Sequence, residues 1–373
     1  MRHRDLVVDA LLRPDSTATY RELDWDLLIR QARRANLLGR LAHTLDDDRV
    51  ALKAARAHLL SARALADRQQ DAIRWEVDCI RRALDPTGVP LVLLKGAAYV
   101  MAGLPVSRGR MFSDVDIIIP KQAVPAVESA LMMNGWVGSH HDAYAQRYYR
   151  QWMHEIPPMQ HLRRGTVIDV HHAILPETAR IRANSAAMRE AAIAIPGHAD
   201  VFVFTPVDMV LHSATHLFQE GELDNGLRDL FDLDSLLRHF GATPAFWEQL
   251  TTRGVALGLQ RPLYYALRYA TALLSTPVPD PVIRAAQKGA PPPLARPLMD
   301  FCFLRGLRVI HPTCSDRWTP LARGLLYVRS HWLRMPFFLL LFHLARKAIV
   351  PPQRREQADL APPRNEALPE AGG

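Results

Sequence analysis

Two aspartates open an apolar segment that predicts a strand. In Ser113-Asp114-Val115-Asp116 the two acids stand two residues apart, and strand side chains alternate between faces, so both carboxylates project from one face. Such groups repel each other unless a cation lies between them, and Mg²⁺ is the natural candidate because it binds carboxylates together with substrate phosphates. A solvated pair at a strand end is the alternative, and this pattern alone leaves it open.

A third carboxylate, Asp169, lies between Ile168 and Val170 in a second predicted strand. Such an aspartate is either an edge residue that faces water or a functional group. With Asp114 and Asp116 it could hold two metal ions for an in-line phosphoryl transfer. One ion would bind a triphosphate and the other would lower the pKa of an attacking hydroxyl, while the third carboxylate holds that ion or receives the proton.

Positive charge precedes the aspartate pair. Lys95 and Gly96 end an earlier predicted strand, where a glycine lets a phosphate approach the backbone and the N-terminus of the next helix. Lys95 can supply positive charge to that phosphate. Arg108 and Arg110 are further candidates, with solvated loop charge as the alternative. The P-loop pattern GxxxxGK[ST] is absent, so the phosphate site that these residues suggest is of another type.

Histidines form a second group of candidates. His212 and His216 lie four residues apart, hence on one face of a predicted helix, with Asp208 a turn earlier. They could bind zinc, line the acceptor side of the site or belong to a packed polar face. The last interpretation is preferred, because no third zinc ligand is evident. His171 follows Asp169 by two residues on the same strand face, so it could also line the site.

The elements that position these residues follow from periodicity and turn signals. Residues 1–84 predict helices. The next segments predict a strand ending at Gly96, a short helix, a strand over 114–119, a helix ending at Asn134-Gly135, two strands joined by an Arg-Arg-Gly turn within 154–174, and a strand over 201–204. After Pro206 the pattern predicts helices to about residue 348, and the Pro-rich, charged tail from Pro351 predicts disorder.

Composition limits the class of protein. The chain has 373 residues, 49% of them apolar, and three widely spaced cysteines, which excludes a disulfide framework or CxxC-type zinc site and favours a cytoplasmic location. No run reaches the roughly 18 apolar residues of a membrane span. The net charge of +8 is uneven: the part from Arg253 onward has 17 Lys and Arg against 7 Asp and Glu, so it carries all the excess.

The block over residues 93–120, LLKGAAYVMAGLPVSRGRMFSDVDIIIP, resembles the active-site block of the DNA polymerase β-like nucleotidyltransferase superfamily. More narrowly, it resembles a family of uncharacterised bacterial nucleotidyltransferases with the pattern LKG…R…DxD. Nucleotidyltransferase toxins of abortive-infection systems have a similar block. The resemblance covers about residues 20–240.

The resemblance implies roles for individual residues. Those that would bind the nucleotide are Lys95, Gly96, Arg110 and Ser113. Those that would bind metal and act in catalysis are Asp114, Asp116 and Asp169. The usual Gly-Ser or Gly-Gly pair is Gly96-Ala97 here, so Lys95 or Ser113 would replace the serine that contacts a phosphate. Arg228 and Asp229 match a polar pair of a downstream helix, where a packing salt bridge is the preferred role.

The resemblance also implies a fold of the α/β (α+β) class, with a small mixed sheet between helical parts. The predicted division is a helical segment at 1–85, a catalytic core at 86–205, a helical domain at 206–350 and a disordered tail at 351–373. The implied activity is Mg²⁺-dependent transfer of a nucleoside monophosphate from an NTP to a hydroxyl or phosphate, here of a small molecule. A toxin acting on tRNA and a non-catalytic binding protein are the alternatives.

The basic C-terminal third lies mostly outside the resemblance. Its segment 322–349 is apolar with interspersed arginines, which suits peripheral contact with an anionic membrane surface or with RNA. A pair of core helices with arginines on the surface is the alternative. This third is therefore where specificity for the acceptor, an RNA or a small molecule, is expected.

Overall fold

The computed structural model describes residues 5–45, 50, 52–138, 153–219 and 223–334. Helices come before, within and after a small α/β unit in the chain. They are α1 (Leu6–Leu12), α2 (Glu22–Arg34), α3 (Leu38–Thr44), α4 (Lys53–Leu84), α5 (Lys95–Met101), α6 (Val124–Met133), α7 (Ser185–Glu190), α8 (Pro206–Gln219), α9 (Gly226–Phe240), α10 (Pro244–Ala256), α11 (Gln260–Leu274), α12 (Asp280–Ala286), α13 (Arg296–Gly306) and α14 (Thr319–Arg334).

One mixed sheet of seven strands forms within the described residues. Its strands are β1 (Leu91–Leu93), β2 (Asp114–Ile118), β3 (Trp136–Gly138), β4 (Met159–His161), β5 (Val167–His171), β6 (Ile193–Ile195) and β7 (His198–Val203). They are ordered β3-β4-β5-β2-β1-β7-β6. The β2–β5 and β1–β7 pairs are parallel, and the other pairs are antiparallel. The predicted fold class, a small mixed sheet with helical flanks, is confirmed.

Apolar side chains hold the central strands in place. Val115 and Ile117 alternate with the aspartates of β2, and Ile168 and Val170 alternate with Asp169 on β5, so these four project from the face opposite the acids. All four are buried. The long helix α4, which contains neither glycine nor proline, packs against α5, α6 and β2. This packing fixes the strands that carry the carboxylates.

The helical prediction after Pro206 agrees with α8 to α14 as far as Arg334. The predicted helix up to residue 348 and the predicted disordered tail lie outside the described residues. The domain boundaries stay a prediction. Within the described ranges, each helix is too short or too polar to cross a bilayer.

Two glycines bring α3 against the loop that precedes the acids. Gly109 has a φ of 68°, and a Cβ built on it would lie 2.4 Å from the carbonyl oxygen of Gly39 on α3. A Cβ on Gly39 would in turn lie 2.5 Å from the carbonyl oxygen of Gly109. The two backbones therefore approach as closely as only glycine allows.

We expect Gly109→Ala to lower the free energy of unfolding by about 2–4 kcal/mol, because the methyl group meets a backbone and the left-handed conformation disfavours alanine. The matched control is Gly103→Ala. Gly103 has a φ of 65° but nothing within 4 Å of its Cβ position, so only the conformational cost of about 1 kcal/mol applies. Urea denaturation measures both changes, and equal losses would contradict the packing role of Gly109.

Candidate active site

Asp114, Asp116 and Asp169 lie together on one face of the sheet. The parallel strands β2 and β5 are neighbours, and their register places Asp116 directly beside Asp169 and Asp114 beside Val167. Directly paired residues project from the same face, and so do residues two apart on one strand. The three carboxylates therefore form one group, which we call the acidic cluster.

Two cations bind the central carboxylate of this cluster. The amine of Lys95 donates to Oδ1 of Asp116 at 2.9 Å, and Nε2 of His171 lies 2.9 Å from the same oxygen. Burial alone would raise the pKa of Asp116, but Lys95 and His171 hold it well below its usual range. Burial likewise opposes the charge of Lys95, yet Asp116 raises the pKa of this amine. Both partners of the Lys95–Asp116 ion pair are thus kept charged.

The turn that carries Lys95 is strained at the lysine itself. Lys95 is the first residue of α5 and has a φ of 44°, in the left-handed region that favours glycine. The preceding amide of Leu94 donates to the carbonyl of Asp116 at 2.9 Å, which ties this turn to β2. A left-handed non-glycine residue costs about 1–2 kcal/mol, so the fold maintains the lysine here against a local penalty.

The other two carboxylates are harder to ionise. Burial and the charge of Asp116 raise the pKa of Asp114, which accepts a hydrogen bond from the Ser113 hydroxyl at 3.0 Å. Burial together with the charges of Asp116 and Asp114 raises the pKa of Asp169 to about 7. The like charges of the cluster are the common cause, as expected for carboxylates that share one site.

His171 connects the cluster to a glutamate that the sequence analysis did not select. Its Nδ1 lies 3.2 Å from a carboxylate oxygen of Glu155, while its Nε2 faces Asp116. Burial would lower the pKa of His171, but the hydrogen bond with Asp116 and the charge of Glu155 raise it. Glu155 pairs with His171 through an isolated β-bridge. Such a contact outside regular strands leaves no periodic pattern in the sequence.

A polar cavity of about 200 Å³ opens beside the acidic cluster. Its lining combines positive, negative and hydroxyl groups. The lining residues are Lys95, Gly96, Tyr99, Arg110, Ser113, Asp114, Asp116, Ser213, His216, Asn225, Arg228, Asp229 and Asp232. They come from β2, from α5, from the loop before β2 and from the helices α8 and α9, so the cavity lies between the sheet and the C-terminal helices.

Most residues proposed from the sequence line this cavity, and four do not. Asp169 and His171 belong to the cluster but are not among the lining residues. Arg108 lines a different pocket, together with Arg40. His212 packs edge-on against the ring of Phe204, with centroids 5.6 Å apart. The cavity therefore joins the nucleotide-side candidates to Asp114 and Asp116 but leaves out Arg108 and His212.

Arg110 occupies the cavity wall with its charge already paired. Its Nε donates to Asp232 of α9 at 2.7 Å, and Arg40 of α3 donates to the other oxygen of the same carboxylate at 2.5 Å. Arg110 and Asp232 are both buried. Despite burial, the charges of Asp232 and Asp229 raise the pKa of Arg110. Arg110 is therefore a buried arginine anchored by Asp232 and not a solvated loop charge, and its role towards a phosphate stays a prediction.

Gly96 has a packing role in addition to the one expected from the sequence, which stays a prediction. A Cβ at this position would lie 2.6 Å from a guanidinium nitrogen of Arg110 and 2.7 Å from the ring of Phe112. The positive φ at this turn belongs to Lys95 and not to Gly96. The absence of a side chain at Gly96 therefore lets Arg110 and Phe112 lie against the start of α5.

Two further pairs of polar residues belong to the wall. The guanidinium of Arg228 donates to Asp229 at 2.8 Å, so the expected salt bridge is present, and it lies at the cavity. The hydroxyls of Tyr99 and Ser213 are 2.6 Å apart. These pairs place both donors and acceptors around the space next to Asp114.

The two helix histidines are kept neutral by their surroundings. Burial, followed by the charge of Lys95, lowers the pKa of His212 to about 3 and that of His216 well below its usual value. Asp208, a turn earlier, binds Arg253 through both oxygens at 2.9 Å. In the described part of the chain no third possible metal ligand accompanies this pair. Of the two, only His216 lines the cavity.

We expect His212→Phe to flatten the loss of stability in acid. The pKa of His212 is about 3 when folded against 6.5 as its ordinary value, so below pH 6.5 the unfolded chain takes up a proton that the folded chain does not. The contribution of His212 to the free energy of unfolding is complete above pH 6.5. It falls towards pH 3 by up to about 1.4 kcal/mol per pH unit. Urea denaturation at several pH values measures the slope. The exposed His239→Phe should leave it unchanged, and an unchanged slope in His212→Phe would refute the assignment.

The acidic cluster has a ligand set that suits a hard divalent cation. Oδ1 of Asp169 is buried and has no hydrogen-bond partner among the described residues. The residue paired with Asp169 on the neighbouring strand is another aspartate, Asp116. A buried carboxylate oxygen without a donor is costly unless a cation binds it. The residues present therefore fit a magnesium site.

A second set of possible ligand atoms lies next to this cluster. Atoms of His154, Glu155 and His171 lie within 4.8 Å of one another. Both ring nitrogens of His171 already face carboxylates, so this group acts first as a hydrogen-bonded support of Asp116.

Comparison with known families decides the class of this chain. A family model described as an uncharacterised nucleotidyltransferase matches residues 21–275. The chain belongs to this nucleotidyltransferase family. The match spans the acidic cluster and the whole lining of the cavity, and it supports nucleotide transfer in general as the activity of the protein. The resemblance of the 93–120 block is thereby confirmed, while neither a curated protein nor a solved structure matches the chain.

Proposed function

We propose that this nucleotidyltransferase moves a nucleoside monophosphate from an NTP to a hydroxyl or phosphate of a small-molecule acceptor and releases pyrophosphate. The observation that carries the proposal is the acidic cluster on two parallel strands beside a cavity with cationic walls. Asp114 and Asp116 face the same space as Lys95, Arg110 and Arg228. Carboxylates that bind metal and cations that attract phosphate are the two components that nucleotidyl transfer requires.

Asp114, Asp116 and Asp169 would hold Mg²⁺, with two ions expected from three carboxylates. When bound, the ions neutralise the triphosphate and make the acceptor hydroxyl more acidic. The residues proposed from the sequence for this role are thus the ones that the register of β2 and β5 brings together. Lys95 and His171 keep the Asp116 carboxylate ionised and oriented.

The other side chains of the site have separate roles in binding the triphosphate and in the transfer. Arg110 and Arg228 place positive charge on the cavity wall, where it attracts the triphosphate. The acceptor oxygen forms a bond to the α-phosphorus, the bond from that phosphorus to the bridging oxygen breaks, and pyrophosphate leaves. The proton of the acceptor hydroxyl passes to a carboxylate of the acidic cluster. Ser113, which lines the cavity, would be the donor in place of the serine missing after Gly96.

Cys79, Cys302 and Cys314 all lie among the described residues and none of them forms a disulfide there, which supports a reducing, cytoplasmic location.

The direct test incubates the full-length protein with Mg²⁺ and each of four α-labelled NTPs, with cell metabolites below about 1 kDa as acceptors. We expect label to pass from one NTP to a small product, and pyrophosphate to appear with it. Asp169→Asn should abolish both. Asp71→Asn, which changes an exposed aspartate of α4, is the matched control and should retain full activity.

A negative result has a clear form. Absence of NTP binding by calorimetry in the presence of Mg²⁺ would reject the proposal. NTP binding without turnover, unchanged in Asp169→Asn, would favour a non-catalytic binding protein instead.

Transfer to tRNA is a second candidate, and the basic C-terminal third favours it. This part of the chain carries a charge of +10 against −2 for the part before Arg253, and such excess attracts nucleic acid. The test adds total tRNA to the labelling reaction. Label on tRNA that is lost in Asp114→Asn, together with toxicity on expression that the same variant relieves, would decide for this candidate.

A further inference from the structure

Helix α14 exposes an apolar face. Six residues of this helix are exposed to solvent, and none of them is charged. They are Pro320, Leu321, Gly324, Leu325, Val328 and Trp332. Together with Trp318, just before the helix, the large ones recur every three or four residues, which places them on one side of a helix. Their exposed fractions are 44% for Trp318, 49% for Leu321, 38% for Leu325, 51% for Val328 and 41% for Trp332. We call these five residues the apolar stripe.

The opposite face of α14 fixes the direction of the stripe. Thr319, Ala322, Leu326 and Ser330 are buried, and α14 packs against α13. Arg329, which is also turned inward, donates to the carbonyl of Phe218 at 2.8 Å. The helix is therefore held by its own buried face, and the apolar stripe points to the outside of the protein. A solvent-facing helix side in a soluble protein normally carries charged residues, so this stripe indicates a binding surface.

The sequence from the start of the stripe onward carries charge of a single sign. From Arg317 to Arg355 the sequence contains eight Lys and Arg and no Asp or Glu. Arg317 lies over the ring of Trp318 at 5.1 Å, and Arg180 lies over the ring of Trp332 at 3.9 Å, so a cation stands at each end of the stripe. Tryptophans at the ends with arginines beside them are typical of helices that lie at a membrane–water interface.

We propose that the apolar stripe of α14 docks on an anionic membrane surface and holds the enzyme there peripherally. The stripe would enter the boundary between headgroups and acyl chains, while the surrounding arginines contact anionic headgroups. The segment that follows α14 in the sequence, 335–349, continues the same composition of large apolar residues with Arg346 and Lys347. In the sequence, the basic apolar stretch therefore continues past the end of α14.

The chemistry of the stripe favours lipid over the other occupants. Leucine and valine fill its centre, and these side chains neither stack on bases nor donate hydrogen bonds, as a nucleic-acid surface requires. A second copy of the chain would bring another set of arginines against the first, which opposes self-association. An anionic bilayer satisfies both the apolar centre and the cationic ends.

Flotation with vesicles tests this proposal with the full-length protein. Vesicles of phosphatidylcholine alone are compared with vesicles that contain phosphatidylglycerol. We expect the protein to float with the second kind only, and raising NaCl from about 0.1 M to about 0.5 M should reduce binding by shortening the screening length. Neither result depends on nucleotidyl transfer.

Two variants separate the stripe from general charge. Leu325→Asp should weaken binding to the phosphatidylglycerol vesicles about tenfold, because it removes one inserted apolar side chain and adds a repelled charge. Leu65→Asp makes the same change at a residue of α4 with a 50% exposed fraction and should not alter binding. Both variants should retain the thermal midpoint of the wild type, since both sites are exposed.

The following results would overturn the proposal. They are equal or absent flotation with both kinds of vesicle, equal losses in Leu325→Asp and Leu65→Asp, and dimerisation in light scattering that Leu325→Asp abolishes without any vesicle binding. Binding of tRNA that is lost in Leu325→Asp, in a protein that binds neither kind of vesicle, would likewise overturn the proposal. It would assign the stripe to nucleic acid.

Discussion

Asp114→Asn is expected to abolish nucleotidyl transfer while leaving the protein as stable as the wild type, or more stable. Asp114 contributes a carboxylate to the proposed metal site, but its only described hydrogen bond comes from Ser113, which an asparagine oxygen can also accept. Loss of several kcal/mol of charge stabilisation corresponds to about 10³-fold or more in rate. Removing one of three like charges should at the same time raise the free energy of unfolding by up to about 1 kcal/mol.

Asp116→Asn is expected to lose stability as well as activity, which distinguishes it from Asp114→Asn. It should also abolish transfer, but it leaves the half-buried Lys95 and the buried His171 without their shared carboxylate. Loss of one partner from a buried ion pair costs about 3–5 kcal/mol. Rate measurements with labelled NTP and urea denaturation together separate the two roles. If Asp114→Asn kept its activity, or if both variants lost the same stability, the division of the cluster into a metal-binding member and an anchored member would be wrong.

The acidic cluster was predictable because it rests on local patterns. Alternation along a strand places Asp114 and Asp116 on one face, and the apolar neighbours of Asp169 mark it as an unusual residue of another strand. The sequence does not show that β2 and β5 are adjacent and in register, since strand order depends on the packing of the whole sheet. The strands β3 and β6, of three residues each, are also too short to produce a periodic signal.

The anchoring of the cavity wall through Arg110 could not be predicted, because the partners are distant in sequence. Arg110 and Asp232 are 122 residues apart, and Arg40 and Asp232 are 192 residues apart. Nothing in the local composition of Leu230-Phe231-Asp232-Leu233 distinguishes this aspartate from others on the helix. The packing role of Gly96 could not be predicted for the same reason, because the atoms that exclude a side chain there belong to Arg110 and Phe112.

Asp232→Ala is expected to have one of the largest effects on stability of the single changes near the cavity. Arg40 and Arg110 both donate to this carboxylate, and each of the three is buried or nearly so. Without Asp232, two buried guanidinium groups lose their shared counter-charge, and we expect the free energy of unfolding to fall by about 3–5 kcal/mol. Glu177→Gln, which breaks an ion pair with Lys121 in which both side chains are 56% exposed, should cost no more than about 1 kcal/mol.

Arg110 gives this prediction a functional readout beyond stability. Asp232 fixes its guanidinium against Gly96 and the cavity, so Asp232→Asn, which keeps the shape but not the charge, should weaken NTP binding more than it slows the bound reaction. A rise in KM for NTP of about tenfold with a smaller change in kcat is the expected result, because misplacing one charge-assisted donor costs about 1.5–3 kcal/mol. Unchanged KM in a folded Asp232→Asn enzyme would mean that Arg110 serves only to join α3, the loop before β2 and α9. In that case the positive charge that attracts the triphosphate would have to come from Arg228, and Arg228→Gln would show the KM effect instead.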